Sequence, residues 1–198
     1  MIIRLIRHGK TYANERNLYS GHTDSFVSYT GLNEIRERKV AGLYGSPVAL
    51  NFASPLIRTY QTFYEIYGNT NFVQIKEFVE FDFGLLEMKT HEDVFNIDGY
   101  KEWINPGNVG AACPGGENNI DFNKRVMTKF HEIKDLAIKE QSDVSIVCHG
   151  GVIATIMFTL FKEERDHFYK WLPKGGEGYI LSFDSLGKIT EYSNMSLR

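Results

Sequence analysis

Two histidine-glycine pairs stand at the ends of short apolar runs. Met1 to Ile6 stops at Arg7-His8-Gly9, and Asp143 to Cys148 stops at His149-Gly150-Gly151. A third run, Val48 to Ala53, is followed by Arg58, and a fourth, Phe72 to Phe78, is followed by Glu80. Gathered in one place, these residues make two arginines, two histidines and one carboxylic acid. Arginine forks match the geometry of phosphate oxygens and do not lose their charge. A carboxyl among them can move a proton. Each residue alone has a plainer reading. A histidine after a strand is commonly a hydrogen-bonded structural residue, an arginine after Pro55 a solvated helix residue, and Glu80 is one of 25 acids. The repetition of the pattern is what points to a site.

Such residues need a scaffold that brings strand ends together. Open parallel sheets place ligands at the carboxyl ends of their strands. The four runs read as strands, with helices expected between them. Thr11 to Leu18 is polar, with at most a helical turn. A helix begins near Thr30, with Leu32, Ile35, Val40, Leu43 and Tyr44 as its apolar stripe, and Gly45-Ser46-Pro47 ends it. Another covers Leu56 to Tyr67, with Pro55 near its first turn. Glu117 to Glu140 is a long amphipathic helix whose apolar face is Ile120, Val126, Met127, Phe130, Ile133, Leu136 and Ala137. Val152 to Phe161 is an apolar helix. Gly178 to Phe183 and Lys188 to Tyr192 read as a hairpin. Strands alternating with helices predict a three-layer α/β/α sandwich with a mainly parallel central sheet. Glu80 to Gly116 is rich in glycine and is an excursion from that body, with one helix around His91 to Trp103. Long insertions of this kind are often lids or binding loops.

Composition narrows the function classes. A chain of 198 residues with 42% hydrophobic and 24% charged residues reads as one globular domain, residues 1–198, with the lid-like insertion at about 84–116. A net charge of −3 leaves no electrostatic footprint for nucleic acid. No apolar run is long enough for a membrane span, and the N-terminal run is not a signal peptide. Two cysteines, Cys113 and Cys148, are too few for a disulfide framework, so a reduced, cytoplasmic setting is expected. Cys148 reads as a small buried hydrophobe. His22, His91, His131 and His167 have no metal-ligand spacing, so no metal and no cofactor are expected. The glycine-rich stretches do not match phosphate-loop or dinucleotide fingerprints.

The ordered motifs resemble those of the histidine phosphatase superfamily, also called phosphoglycerate mutase-like. Arg7-His8-Gly9 with Thr11 and Asn14 is similar to its signature, and Gly21-His22-Thr23-Asp24 to its next loop. Ser54 to Thr62 resembles its second motif, and Glu80-Phe81-Asp82-Phe83-Gly84-Leu85-Leu86-Glu87 the segment with the proton donor. Pro114-Gly115-Gly116-Glu117 and Val147 to Gly151 complete the set. The resemblance implies that His8 takes the phosphoryl group as nucleophile. It implies that Arg7, Arg58 and His149 clamp the phosphate, with Asn14 assisting, and that Glu80 is general acid and then general base. Asn14, Gly21 and Gly150, with Tyr100 and Trp103 of the insertion, are the expected substrate-binding positions. The implied ligands are a small phosphomonoester and inorganic phosphate, for a monomer or homodimer.

Departures from the family pattern bear on the reaction. Leu86 stands where many relatives carry tryptophan or phenylalanine, Met88 where they carry glycine, and Phe83 where the mutases have tyrosine. The segment Met88 to Cys113 contains Lys89 and Lys101 but no arginine. The mutases are longer there and hold a second acidic group with an Arg pair. These points favour a phosphatase, near the broad-specificity and α-ribazole phosphatases. The alternatives are a cofactor-dependent phosphoglycerate mutase and a non-catalytic phospholigand-binding protein. Phe83, Tyr100 and Trp103 either contact the organic part of a substrate or pack the insertion onto the body. Glu87 is either a polar contact or a partner for a neighbouring lysine.

Overall fold

The structure, a computed structural model, describes residues 1–108, 110–161, 163–164 and 167–196. Among the described residues six strands form one sheet: β1 (Ile2–Arg7), β2 (Leu50–Ala53), β3 (Val73–Gln74), β4 (Val144–Cys148), β5 (Gly178–Phe183) and β6 (Ile189–Met195). Their order is β3-β2-β4-β1-β5-β6. The first four are parallel, and β5 and β6 add an antiparallel edge. The longer helices are α2 (Tyr29–Val40), α3 (Ile57–Tyr67), α6 (Asn119–Lys139) and α7 (Gly150–Leu160); α1 (Tyr12–Glu15), α4 (His91–Val94) and α5 (Tyr100–Trp103) are single turns. β4 is buried at all five positions, as a strand covered by helices on both faces must be. One buried cluster runs from Ile3 and Leu5 through Val126, Phe130 and Ile153, and a second joins Ile6, Ile35, Phe63 and Tyr67. This is the mixed α/β sandwich that the alternation of strands and helices predicts.

Register sets the position of the site. Arg7 pairs with Cys148 across β1 and β4, and Ala53 pairs with Val147 across β2 and β4. The next residues continue the ladder: His8 donates its N–H to the Cys148 carbonyl at 2.9 Å, and Ser54 donates to Val147 at 3.0 Å. His8, Ser54 and His149 therefore leave the sheet side by side.

Several elements differ from the sequence-based expectation. The Phe72–Phe78 run makes only a two-residue strand. β2 ends at Ala53, whose carbonyl takes the Ile75 N–H, and Lys76–Phe78 turns into a 3₁₀ helix. The carbonyls of Glu77, Val79 and Glu80 go instead to the Arg125 guanidinium on α6. The single helix expected at His91–Trp103 is broken into α4 and α5, because Gly99 takes a left-handed conformation before α5. α2 ends at Val40, before Leu43 and Tyr44; Val40 is exposed, while Tyr44 is buried with its hydroxyl on the Gly176 carbonyl. On α6, Ile120 and Leu136 leave the apolar face and Phe122 joins it. α7 begins two residues early, directly at Gly150.

Candidate active site

His8 lies just past β1, 4% exposed. Its Nδ1 is 2.7 Å from the Gly9 carbonyl oxygen. A carbonyl only accepts, so Nδ1 carries the proton and donates, and the neutral ring keeps a lone pair on Nε2. Burial holds the His8 pKa well below the ordinary histidine value, and the charges of Arg58 and Arg7 push the same way. The Gly9 N–H donates to Thr62 Oγ1 at 2.8 Å, and that hydroxyl donates to the Arg58 carbonyl at 2.7 Å. The turn that carries the histidine is thus fixed to the helix that carries the arginine.

Arg58, on the first turn of α3, is 1% exposed. Its Nη1 and Nη2 donate to the carbonyls of Thr23 at 2.9 Å and Gly21 at 2.6 Å. Its Nε donates to His149 Nδ1 at 3.3 Å. A guanidinium has five N–H groups, so two remain. Arg7 Nη1 donates to the Pro173 carbonyl at 2.7 Å, while its buried Nε has no partner among the described residues. Burial lowers the pKa of both arginines from the usual value, and the Glu80 carboxylate opposes that.

His149 caps β4 and is fully buried. Its Nδ1 accepts from Arg58, so a neutral ring carries its proton on Nε2, which donates to Ser54 Oγ at 2.7 Å. Burial, followed by Arg58, drives its pKa well below the usual value. Its ring meets His8 edge to face, with centroids 5.2 Å apart. Both nitrogens are already engaged, so in this arrangement His149 orients Arg58 and has no free N–H for a phosphate.

Glu80 enters from the other side. Its Oε2 accepts the Gly151 N–H at the start of α7 at 2.8 Å, and its Oε1 accepts the Phe81 N–H at 2.9 Å. A Cβ at Gly151 would lie 2.3 Å from Glu80 Oε1, so the glycine makes room for the acid. A Cβ at Gly150 would meet the Arg7 guanidinium at 3.1 Å, which makes its place beside the site one of clearance. Arg125 holds the segment before Glu80, and its partner Glu117 takes the Asp82 N–H at 2.8 Å.

A cleft of about 720 Å³ opens from Arg7 and Glu80. Phe81, Phe83 and Trp103 form one wall, and Phe158, Phe168 and Leu172 line it as well. A second arm, about 760 Å³, shares Arg7 and Phe83 but is lined by Lys10, Asn14, His91 and Lys174. Another cavity of about 690 Å³ lies by the C-terminal hairpin, lined by Phe130, Lys134 and Tyr192, and contains none of the strand-end residues. Size alone therefore does not mark the site.

The remaining expected positions divide. Trp103 and Phe83 line the cleft, whereas Tyr100 is fully buried, with its hydroxyl on Tyr19 at 3.2 Å and His91 Nδ1 at 2.6 Å. Tyr100 packs the insertion and does not reach a ligand. Asn14 uses Oδ1 in a capping box with Thr11 and lines the second arm. Gly21 acts through its backbone, and a Cβ there would lie 1.8 Å from the Phe81 carbonyl oxygen. Glu87 has no lysine partner among the described residues; its carboxylate accepts from backbone N–H groups. Ser54, Thr62, Arg125 and the Pro173 carbonyl were not foreseen. The one signal for the last is Gly175-Gly176, which mark a close backbone approach: a Cβ at Gly175 would lie 2.7 Å from the Lys10 nitrogen.

Comparison with known proteins shows the family and the fold. Residues 3–194 match the profile of the histidine phosphatase superfamily (branch 1). The adenosylcobalamin/alpha-ribazole phosphatase of Escherichia coli K12 is 29% identical over 164 residues, covering 81% of this chain and 79% of that protein. The crystal structure of the alpha-ribazole phosphatase from Shigella flexneri superposes with a TM-score of 0.79 at 25% identity, over 93% of this chain and 91% of that one. A mutant phosphoserine phosphatase from Entamoeba histolytica, in complex with phosphoserine, has the same fold, with a TM-score of 0.79 at 22% identity over 96% and 95% of the two chains.

Proposed function

The chain belongs to the histidine phosphatase superfamily, and from that premise we propose that it is a metal-independent phosphomonoesterase acting through a phosphohistidine on His8. The observation that carries this reading is the Nδ1–H bond of His8 to Gly9, which leaves the ring's lone pair on Nε2, with no hydrogen bond to it among the described residues and with the charges of Arg58 and Arg7 acting on the ring. In the first step, with the Glu80 carboxyl protonated, Nε2 forms a bond to phosphorus, the phosphorus–oxygen bond to the organic group breaks, and Glu80 gives its proton to the departing oxygen and is left as the carboxylate. In the second step water attacks phosphorus, Glu80 takes its proton, and the phosphorus–nitrogen electron pair returns to Nε2. Covalent catalysis of this kind divides one difficult step into two. The free N–H groups of Arg7 and Arg58 stabilise charge on the transferring oxygens. Losing one such donor typically costs about 3 kcal/mol of barrier, roughly a hundredfold in rate.

Glu80 also supports an assignment for the organic group. The acid that protonates the leaving oxygen sits on the side where that group lies. Glu80 lines the aromatic arm of the cleft and is absent from the lysine-lined arm. We therefore place an apolar or aromatic leaving group against Phe81, Phe83, Trp103 and Phe158, with residues 84–116 as the lid that covers it.

The test is phosphate release from a panel of phosphomonoesters in excess EDTA, including aryl phosphates, sugar phosphates, phosphoglycerates, phosphoserine and α-ribazole phosphate. Turnover with chelator, its loss in His8→Ala, and a phosphohistidine recovered on rapid quench are expected. Isomerised phosphoglycerate in place of free phosphate identifies a mutase. Phosphate-stabilised folding without turnover on any substrate identifies a binding protein. A best substrate carrying a second acidic group moves the organic part to the Lys10 and Lys174 arm.

A further inference from the structure

The Glu87 carboxylate is held by the main chain. Its oxygens accept the N–H groups of Gly21 at 3.0 and 3.2 Å, His22 at 2.9 Å and Thr23 at 3.1 Å, with Phe83 at 3.4 Å. Among the described residues no cation forms an ion pair with it, although its charge is also felt at Arg58 across the loop. The loop that points these N–H groups at Glu87 points its carbonyls the other way. Gly21 and Thr23 give theirs to Arg58 Nη2 at 2.6 Å and Nη1 at 2.9 Å. Asp24 ties the end of the loop to α3 by accepting the Ile57 N–H at 2.8 Å. The Gly21–His22 peptide unit thus bridges the two, its N–H on the carboxylate and its carbonyl on the guanidinium, and the units around it are each held by one of them.

This arrangement decides where Arg58 points. Two of its five N–H groups are spent on the loop and one on His149, so the direction of the remaining two follows the loop carbonyls. The loop has little freedom of its own, because Gly21 lies against the Phe81 backbone without room for a Cβ. An ionised acceptor shared by several N–H donors is stronger than the neutral bonds it replaces.

We propose that Glu87 is a positioning residue: it sets the phosphate-binding direction of Arg58 through the backbone of Gly21, His22 and Thr23. The proposal rests on the reading of Arg58 as a phosphate clamp. It also means that one segment, residues 80–87, carries the general acid at one end and the residue that aims the clamp at the other.

A double-mutant cycle tests it, with inorganic phosphate and orthovanadate as the probes. Glu87→Gln keeps the size but turns an NH₂ toward N–H donors, so the loop must shift. Misplacement of a positioned group by about 1 Å can cost up to roughly a hundredfold, and a loss of about 10–100-fold in vanadate affinity and kcat/KM is expected. In an Arg58→Ala background the same substitution is expected to cost less than about twofold, because the group it acts through is gone. Full additivity overturns the proposal and leaves Glu87 a residue of general stability. Unchanged vanadate affinity in Glu87→Gln also overturns it. Unchanged phosphate and vanadate affinity in Arg58→Ala instead overturns the clamp reading beneath it. Should Glu87→Gln not fold, Glu87→Asp, with the charge on a shorter stem, carries the same cycle.

Discussion

Glu80 Oε2 accepts the Gly151 N–H at 2.8 Å, and the absence of a Cβ at Gly151 is what lets the carboxylate come so close. Gly151→Ala puts a methyl group 2.3 Å from the present position of Oε1. Alanine suits a helix, so α7 accepts the change and the flexible end of Glu80 moves. A general acid contributes roughly 10²–10⁴-fold, and alkyl phosphate turnover is expected to fall by about 10²-fold or more. The ratio kcat/KM stops at phosphoryl transfer to His8 and leaves out the water step that Glu80 assists for every substrate. In kcat/KM, nitrophenyl phosphate, whose leaving group needs no proton, loses much less. Paired kinetics on the two substrates check this, with an unchanged melting temperature as the control.

The two buried histidines make both activity and stability pH-dependent. The folded-state pKa of His8 lies well below the ordinary value of about 6.5, through burial and then Arg58 and Arg7. The acid limb of kcat/KM reports the free enzyme, so the His8 limb is expected well below about pH 6.5. For stability the sign follows from proton counts. Below about pH 6.5 the unfolded chain protonates His8 and His149 while the folded chain does not, so stability falls as pH falls. Each histidine contributes up to about 1.4 kcal/mol per pH unit in that window. Denaturant unfolding at about pH 7 and pH 5.5 is expected to show a shallower fall in His149→Asn than in the parent chain.

Tyr100 and Trp103 stand three residues apart in α5 and do different work. Tyr100→Phe removes a hydroxyl shared with Tyr19 and His91 inside the packed insertion. It is expected to cost about 1 kcal/mol of stability and leave KM unchanged. Trp103→Ala opens the cleft wall, and KM for aryl phosphates is expected to rise by about tenfold, equivalent to roughly 1.4 kcal/mol of lost apolar contact. Equal KM effects in the two variants would contradict this division.

The strand-end residues were legible because local sequence announces them. An apolar run that stops at His-Gly reports its own end, and the order β3-β2-β4-β1 carries those ends to one edge. What surrounds them was not legible. Arg125, Glu87 and Ser54 act on backbone atoms or rings far away in sequence, and nothing local specifies those partners. The fourth strand misled for the same reason. Phe72 to Phe78 has strand composition, but β2 ends at Ala53 and Arg125 takes the later carbonyls. Tyr100 and Trp103 both read as candidate ligand contacts, since an aromatic residue in a glycine-rich insertion gives no sign of which way it faces.

Met88 stands where the family pattern leads to the expectation of glycine, and its backbone favours glycine there. Its φ is +59°, in the left-handed region. The turn cannot relax away from it, because the Met88 N–H donates to the Tyr19 carbonyl at 2.7 Å and the Lys89 carbonyl accepts from Tyr19. A side chain in this conformation costs about 1–2 kcal/mol, whereas glycine adopts it freely. Glycine also gains freedom in the unfolded chain, which returns roughly 0.5–1 kcal/mol. Met88 is 42% exposed, so little burial is lost with its side chain. Met88→Gly is therefore expected to stabilise the protein by about 0.5–1 kcal/mol, whereas Met88→Val, β-branched in the same conformation, is expected to destabilise it. Chemical denaturation of the three proteins checks the order. A Met88→Gly variant less stable than the parent would mean that the Met88 side chain contributes more through packing than its backbone conformation costs.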